Sequence, residues 1–100
     1  MQIYDVRGDN GELLAFEVPN WRLTRPGVAR IVRRIPGAQL VRVPRYFQWR
    51  SPDEFCEFVL GGVTFIVWEP FGDNGRYWIG PQPSRPVPEL EQVRAAFAAE

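Results

Sequence analysis

The sequence predicts an α+β fold: an antiparallel or mixed sheet of about five to six strands, in the order β-β-α-β-β-β-β-α, with two helices packed on one face. Three observations carry that prediction. Short runs of β-branched, aromatic and aliphatic residues are joined by Gly- and Asn-rich turns, two segments show apolar residues at the helical period, and hairpin connections outnumber crossovers.

The first two strands are expected at Gln2 to Arg7 and Leu13 to Val18, joined by Gly8-Asp9-Asn10-Gly11, whose residues tolerate positive φ. Leu14, Phe16 and Val18 share one side of the second strand. Thr24 can cap a helix in which Val28, Ile31, Val32 and Ile35 form a single stripe, and Pro36-Gly37 stops it. Arg30, Arg33 and Arg34 then project from the opposite side of that helix. Gln39 to Val43 reads as a strand with Leu40, Arg42 and Pro44 on one side and Val41 and Val43 on the other.

Ser51-Pro52-Asp53-Glu54 matches a capping box and predicts a single helical turn. Phe55 to Leu60 and Val63 to Glu69 flank Gly61-Gly62, the spacing of a two-residue hairpin turn, and this hairpin is expected at the centre of the sheet. Gly72-Asp73-Asn74-Gly75 leads into a strand at Arg76 to Ile79. Pro81, Pro83, Pro86 and Pro88 make an extended connector, and Leu90, Val93 and Phe97 stripe a closing helix.

One hundred residues suit one domain, residues 1–100, and 45% apolar content with four Trp is enough for one core. No apolar run approaches the roughly 18 to 20 residues of a membrane helix. Residues 1 to 11 lack the layout of a secretory signal, so the expected address is cytoplasmic. Cys56 is the single cysteine, which rules out an intrachain disulfide.

All 12 basic residues are Arg, and the formal net charge is zero. The charge is unevenly placed: residues 18 to 52 carry eight Arg and no acid, whereas residues 53 to 100 carry eight acids against three Arg. The absence of His and Lys removes the usual general base, the commonest transition-metal ligand and Schiff-base chemistry. No phosphate loop or dinucleotide fingerprint is present, and neither metal nor other cofactor is expected. Cys56 keeps register with Phe58 and Leu60 and reads as a core thiol.

Two regions remain as candidates. Arg42, Arg45, Tyr46, Phe47, Trp49 and Arg50, together with Arg30 and Arg34 on the helix, combine cationic and aromatic side chains as interaction hot spots do. They predict a small non-enzymatic module, toxin-neutralising or regulatory, that holds an acidic protein partner. The same Arg could instead pair with the acidic last third inside the fold. The alternative site is Glu69, Asp73, Arg76 and Tyr77 around one turn, where an acid, an anion clamp and a phenol would suit a nuclease or hydrolase; the plainer expectation is that Arg76 pairs with Glu69 across the hairpin. A further alternative is single-stranded nucleic acid on an exposed sheet face, against which zero net charge counts. A one-sided sheet rich in aromatics could also be covered by a second copy, giving a homodimer.

Overall fold

The computed structural model describes residues 1–21, 23–42, 54–69 and 75–100. The six strands are β1 (Tyr4–Arg7), β2 (Leu13–Pro19), β3 (Gln39–Arg42), β4 (Glu54–Leu60), β5 (Val63–Trp68) and β6 (Arg76–Pro81). They form one sheet in the order β1-β2-β6-β5-β4-β3, and every neighbouring pair is antiparallel. The helices, α1 (Arg25–Arg33) and α2 (Glu89–Ala98), share one apolar core with one face of the sheet. The α+β expectation therefore holds, and of the antiparallel and mixed alternatives the sheet takes the first.

The turns follow from their glycines. Gly61 and Gly62 have φ of 58° and 77°, the paired positive values that match a two-residue turn to the right-handed twist of its strands. Leu60 then faces Val63, and Val59 faces Thr64. The expected central position of this hairpin needs correction. β6 lies between β2 and β5, so β5 and β6 share the centre and β4 is one strand from the edge. Local pattern marks a hairpin, but which of its edges is extended depends on pairing distant in sequence.

Thr24 is extended (φ −79°, ψ 162°) and its hydroxyl accepts from Gly27 N at 3.0 Å, satisfying one of the backbone donors left over in the first helical turn. Pro26 sits in that turn, where its missing N–H costs nothing. At the other end Arg34 N donates to Ile31 O, Ile35 N to Val32 O and Ala38 N to Ile35 O, and Gly37 takes the positive φ that turns the chain towards β3. The stripe Val28, Ile31, Val32 and Ile35 is buried, as is Leu90, Val93 and Phe97 of α2. Phe97 meets Phe16 of β2 edge to face at 5.5 Å between ring centroids. At the edge of the sheet Arg94 donates to Asp5 of β1 through Nε (2.7 Å) and Nη2 (3.2 Å). That hydrogen bond, aided by Arg7, holds the Asp5 carboxyl below its ordinary pKa.

The core face carries Phe16 and Val18 of β2, Phe58 and Leu60 of β4, Phe65 and Val67 of β5, and Tyr77 and Ile79 of β6, with Phe58 stacked on Phe65 at 5.2 Å. Three places break strict alternation. One is in β2, where Val6 lies opposite Ala15 but Arg7 opposite Leu13, so Leu13 rather than the expected Leu14 packs against the core with Phe16 and Val18. In β4 a register shift between Glu54 and Cys56 lets Phe55 and Cys56 both reach the interior. The third, in β3 between Leu40 and Arg42, brings Arg42 opposite Glu57 while Leu40 lies opposite Phe58, so these two do not share a side as expected from simple alternation. Val43, Pro44 and the predicted turn at Ser51-Pro52-Asp53 lie outside the described residues; Glu54 already belongs to β4.

Replacing Thr24 by Ala is expected to cost about 1 kcal/mol through the lost cap. Phe58→Ala is expected to cost about 3–5 kcal/mol through the cavity it leaves. Urea unfolding followed by tryptophan fluorescence measures both.

Candidate functional site

The basic middle third is partly neutralised within the fold. Arg25 pairs with Glu69 at 3.0 Å, Arg34 with Glu100 at 3.2 Å and Arg42 with Glu57 at 3.6 Å, three contacts from this third to acids of the last. Arg30 and Arg33 are exposed and form no ion pair among the described residues. Of the residues expected to bind a partner, Arg45, Tyr46, Phe47, Trp49 and Arg50 lie outside the described residues, and Arg30, Arg34 and Arg42 lie within them.

Arg30 and Arg34 come together one helical turn apart on the lining of a cleft of about 480 Å³ between α1 and the end of the β1–β2 hairpin. Ile31 and Leu23 contribute apolar wall, Tyr4 and Trp21 aromatic wall, and Glu100 lies alongside. Ile31 is 3% exposed and Trp21 76%, so the cleft runs from the core out to a solvated indole. The segment that carries Trp21 is anchored on either side. Asn20 N donates to Gly75 O at 2.9 Å, and Leu23 O accepts from the Tyr77 hydroxyl at 2.7 Å. The amino group of Met1 donates to Ala98 O and Glu100 O, which brings Glu100 beside β1. Tyr4, Leu23 and Glu100 were not legible as site residues, because the strand–helix–terminus junction that gathers them has no local signature.

Of the described residues around the third turn, Glu69 and Tyr77 lie near each other and Arg76 does not join them. Glu69 accepts from Arg25 at 3.0 Å and from Asn20 at 2.8 Å, so both of its oxygens are engaged. Tyr77 is 5% exposed, gives its proton to Leu23 O, and has its phenol pushed up to about 12 by burial and then by the nearby Glu69. Arg76, its neighbour in β6, points to the other face of the sheet, where it pairs with Glu17 at 3.2 Å and lies 3.6 Å over the Tyr4 ring. The expected Arg76–Glu69 pair is thus replaced by Arg76–Glu17 and Arg25–Glu69, because β6 is flanked by β2 and α1 begins above the end of β5. Asp73 lies outside the described residues.

On the sheet face away from the helices, Trp68 and Trp78 pack edge to face at 6.1 Å. Trp78 covers Gly80, where an added Cβ would sit 2.7 Å from the indole. This face also carries the carboxylates of Glu17 and Glu57, each paired with an arginine, a charge pattern ill suited to following phosphates. Among the described residues no helix is long and apolar enough to cross a membrane, and no group of three or more His, Cys, Asp or Glu is placed to hold a metal ion. Comparison with family models, with curated proteins and with solved structures found no match.

Cys56 is fully buried, and desolvation pushes its thiol from an ordinary 9.0 up to about 12. It is expected to react with Ellman's reagent at pH 8 only as fast as the protein opens, and a rapid stoichiometric reaction of the folded chain would contradict this burial. The linkage has a definite sign: below pH 9 the thiol is protonated in both states, and above it only the unfolded chain ionises. Stability is therefore expected to fall as pH rises from about 9 to about 12, with Tyr77 adding to the loss above about 10. Urea midpoints measured across that range check it.

Proposed function

We propose that this protein is a small non-enzymatic binding module that holds an acidic protein partner at the cleft beside α1. The observation that carries this reading is Trp21, 76% exposed and set against the cleft that Arg30 and Arg34 line. An indole this exposed leaves most of its surface available to a partner, and Trp and Arg are both among the residue types enriched where binding energy concentrates. The outer side of α1 adds Arg33, so the helix offers a partner three exposed guanidinium groups, two of them without a carboxylate among the described residues.

The state of the other candidate site supports binding over catalysis. A general base must turn its oxygen towards a substrate, and an acid needs a transferable proton at working pH. Each oxygen of Glu69 already accepts from a neighbour, Arg25 or Asn20, and the Tyr77 hydroxyl is spent on a backbone carbonyl with its pKa raised. A toxin-neutralising or regulatory subunit would use a surface of the kind formed by Trp21 and the α1 arginines.

The test uses the full chain as bait, in its native form and as a Trp21→Ala, Arg30→Ser double variant that keeps the core intact. The native chain is expected to retain a stoichiometric acidic protein at low salt, with the variant losing at least about 2 kcal/mol of affinity, roughly 30-fold. Equal retention by both chains would sink the reading. Nuclease-sensitive material in place of protein would favour the nucleic-acid alternative.

A further inference from the structure

Building on that reading, a carboxylate is already seated at one end of the cleft. Arg34 Nη1 contacts both oxygens of Glu100, at 3.3 and 3.2 Å, and this ion pair is largely open to solvent, with Arg34 61% and Glu100 34% exposed. Arg30, four residues earlier on the same helix, lines the same cleft and has no carboxylate among the described residues. Four helical residues advance about 6 Å. Two residues of an extended chain advance about 6.6 Å, so carboxylates at alternate positions of an extended peptide match the separation of the two arginines along α1.

We infer that the cleft recognises an extended acidic peptide segment of the type Glu-Xaa-Glu with an apolar side chain close by, and that Glu100 is an internal competitor for one of its two carboxylate seats. One ligand carboxylate takes Arg30, the other displaces Glu100 from Arg34, and the apolar side chain between them, turned the other way by the alternation of an extended chain, lies against Trp21 and Leu23. Arg is suited to both seats because its planar fork meets a carboxylate with paired donors. Glu100 serves this role because its pair with Arg34 is exposed: such contacts are weak enough to be exchanged for an incoming group at little cost. The unliganded protein thereby keeps one of its two cationic seats screened.

The experiment is a titration of the full ¹⁵N-labelled chain with acetyl-Gly-Glu-Leu-Glu-Gly-amide, with acetyl-Gly-Gln-Leu-Gln-Gly-amide as the neutral control, followed by NMR. The Trp21 indole signal, assigned through Trp21→Phe, and the amides of α1 are expected to shift with the acidic peptide and to respond about tenfold more weakly to the control. Glu100→Gln is expected to tighten the acidic peptide about two- to fivefold, and Arg30→Gln to weaken it by a similar or larger factor. Both substitutions are at exposed positions, so the folded spectrum is retained. Absence of shifts, shifts confined to other surfaces, or equal response to both peptides would overturn the binding site itself together with this inference. Binding at the cleft that is unchanged or weakened in Glu100→Gln would overturn the competitor role alone and leave the site standing.

Discussion

The pairing of β6 with β2 is the contact on which the rest of the molecule depends. Without it the chain would hold two separate pieces of sheet, a two-stranded hairpin and a four-stranded meander of β6, β5, β4 and β3. An isolated hairpin is at best marginally stable in water. Joined through Phe16 opposite Ile79 and Val18 opposite Tyr77, the two pieces present one continuous apolar face, and only a face of that width can bury the stripes of both helices. The same register sets the polar pairs on the other side, placing Arg76 within reach of Glu17 and Tyr4.

A polar network then fixes where α1 begins. Arg25 and Asn20 both donate to Glu69 at the end of β5, the Arg25 guanidinium rests 4.6 Å over the Phe55 ring, and Tyr77 reaches up to the carbonyl of Leu23. Partly buried ion pairs of this kind add little net stability, because desolvation offsets much of the attraction. Their effect is directional, because each hydrogen bond ties a named atom of the β2–α1 connection or of α1 to the sheet. The network holds the short β2–α1 connection against the sheet at Asn20 and Leu23 and leaves Trp21 between those anchors facing solvent. The exposed indole is thus a product of the same groups that otherwise resemble a catalytic cluster.

The geometry also separates two kinds of arginine in the basic third. Arg25 and Arg42 face the sheet and find Glu69 and Glu57 there. Arg30, Arg33 and Arg34 lie on the side of α1 turned away from the core, because the buried stripe of Val28, Ile31 and Val32 dictates the rotation of the helix. Zero net charge therefore coexists with a locally cationic surface, and the screening of charges beyond about 10 Å keeps that surface distinct from the acids elsewhere.

Much of the fold was legible in the sequence because its signals are local. Thr24 as a cap, the Val28 to Ile35 stripe, Gly61-Gly62 as a turn and Leu90, Val93 and Phe97 as a buried face each depend on residues within a few positions of one another, where backbone geometry and side-chain period act directly. The basic outer face of α1, with Arg30 and Arg34, was legible for the same reason. The position of β6 in the sheet, the bulge that buries Phe55 beside Cys56, and the exchange of partners that gives Arg76 to Glu17 and Glu69 to Arg25 were decided by tertiary structure. So was the gathering of Tyr4, Trp21, Leu23 and Glu100 around one cleft. These features depend on which strand edges meet and how a helix lies across them, and those are set by burying one shared core rather than by any neighbouring residue.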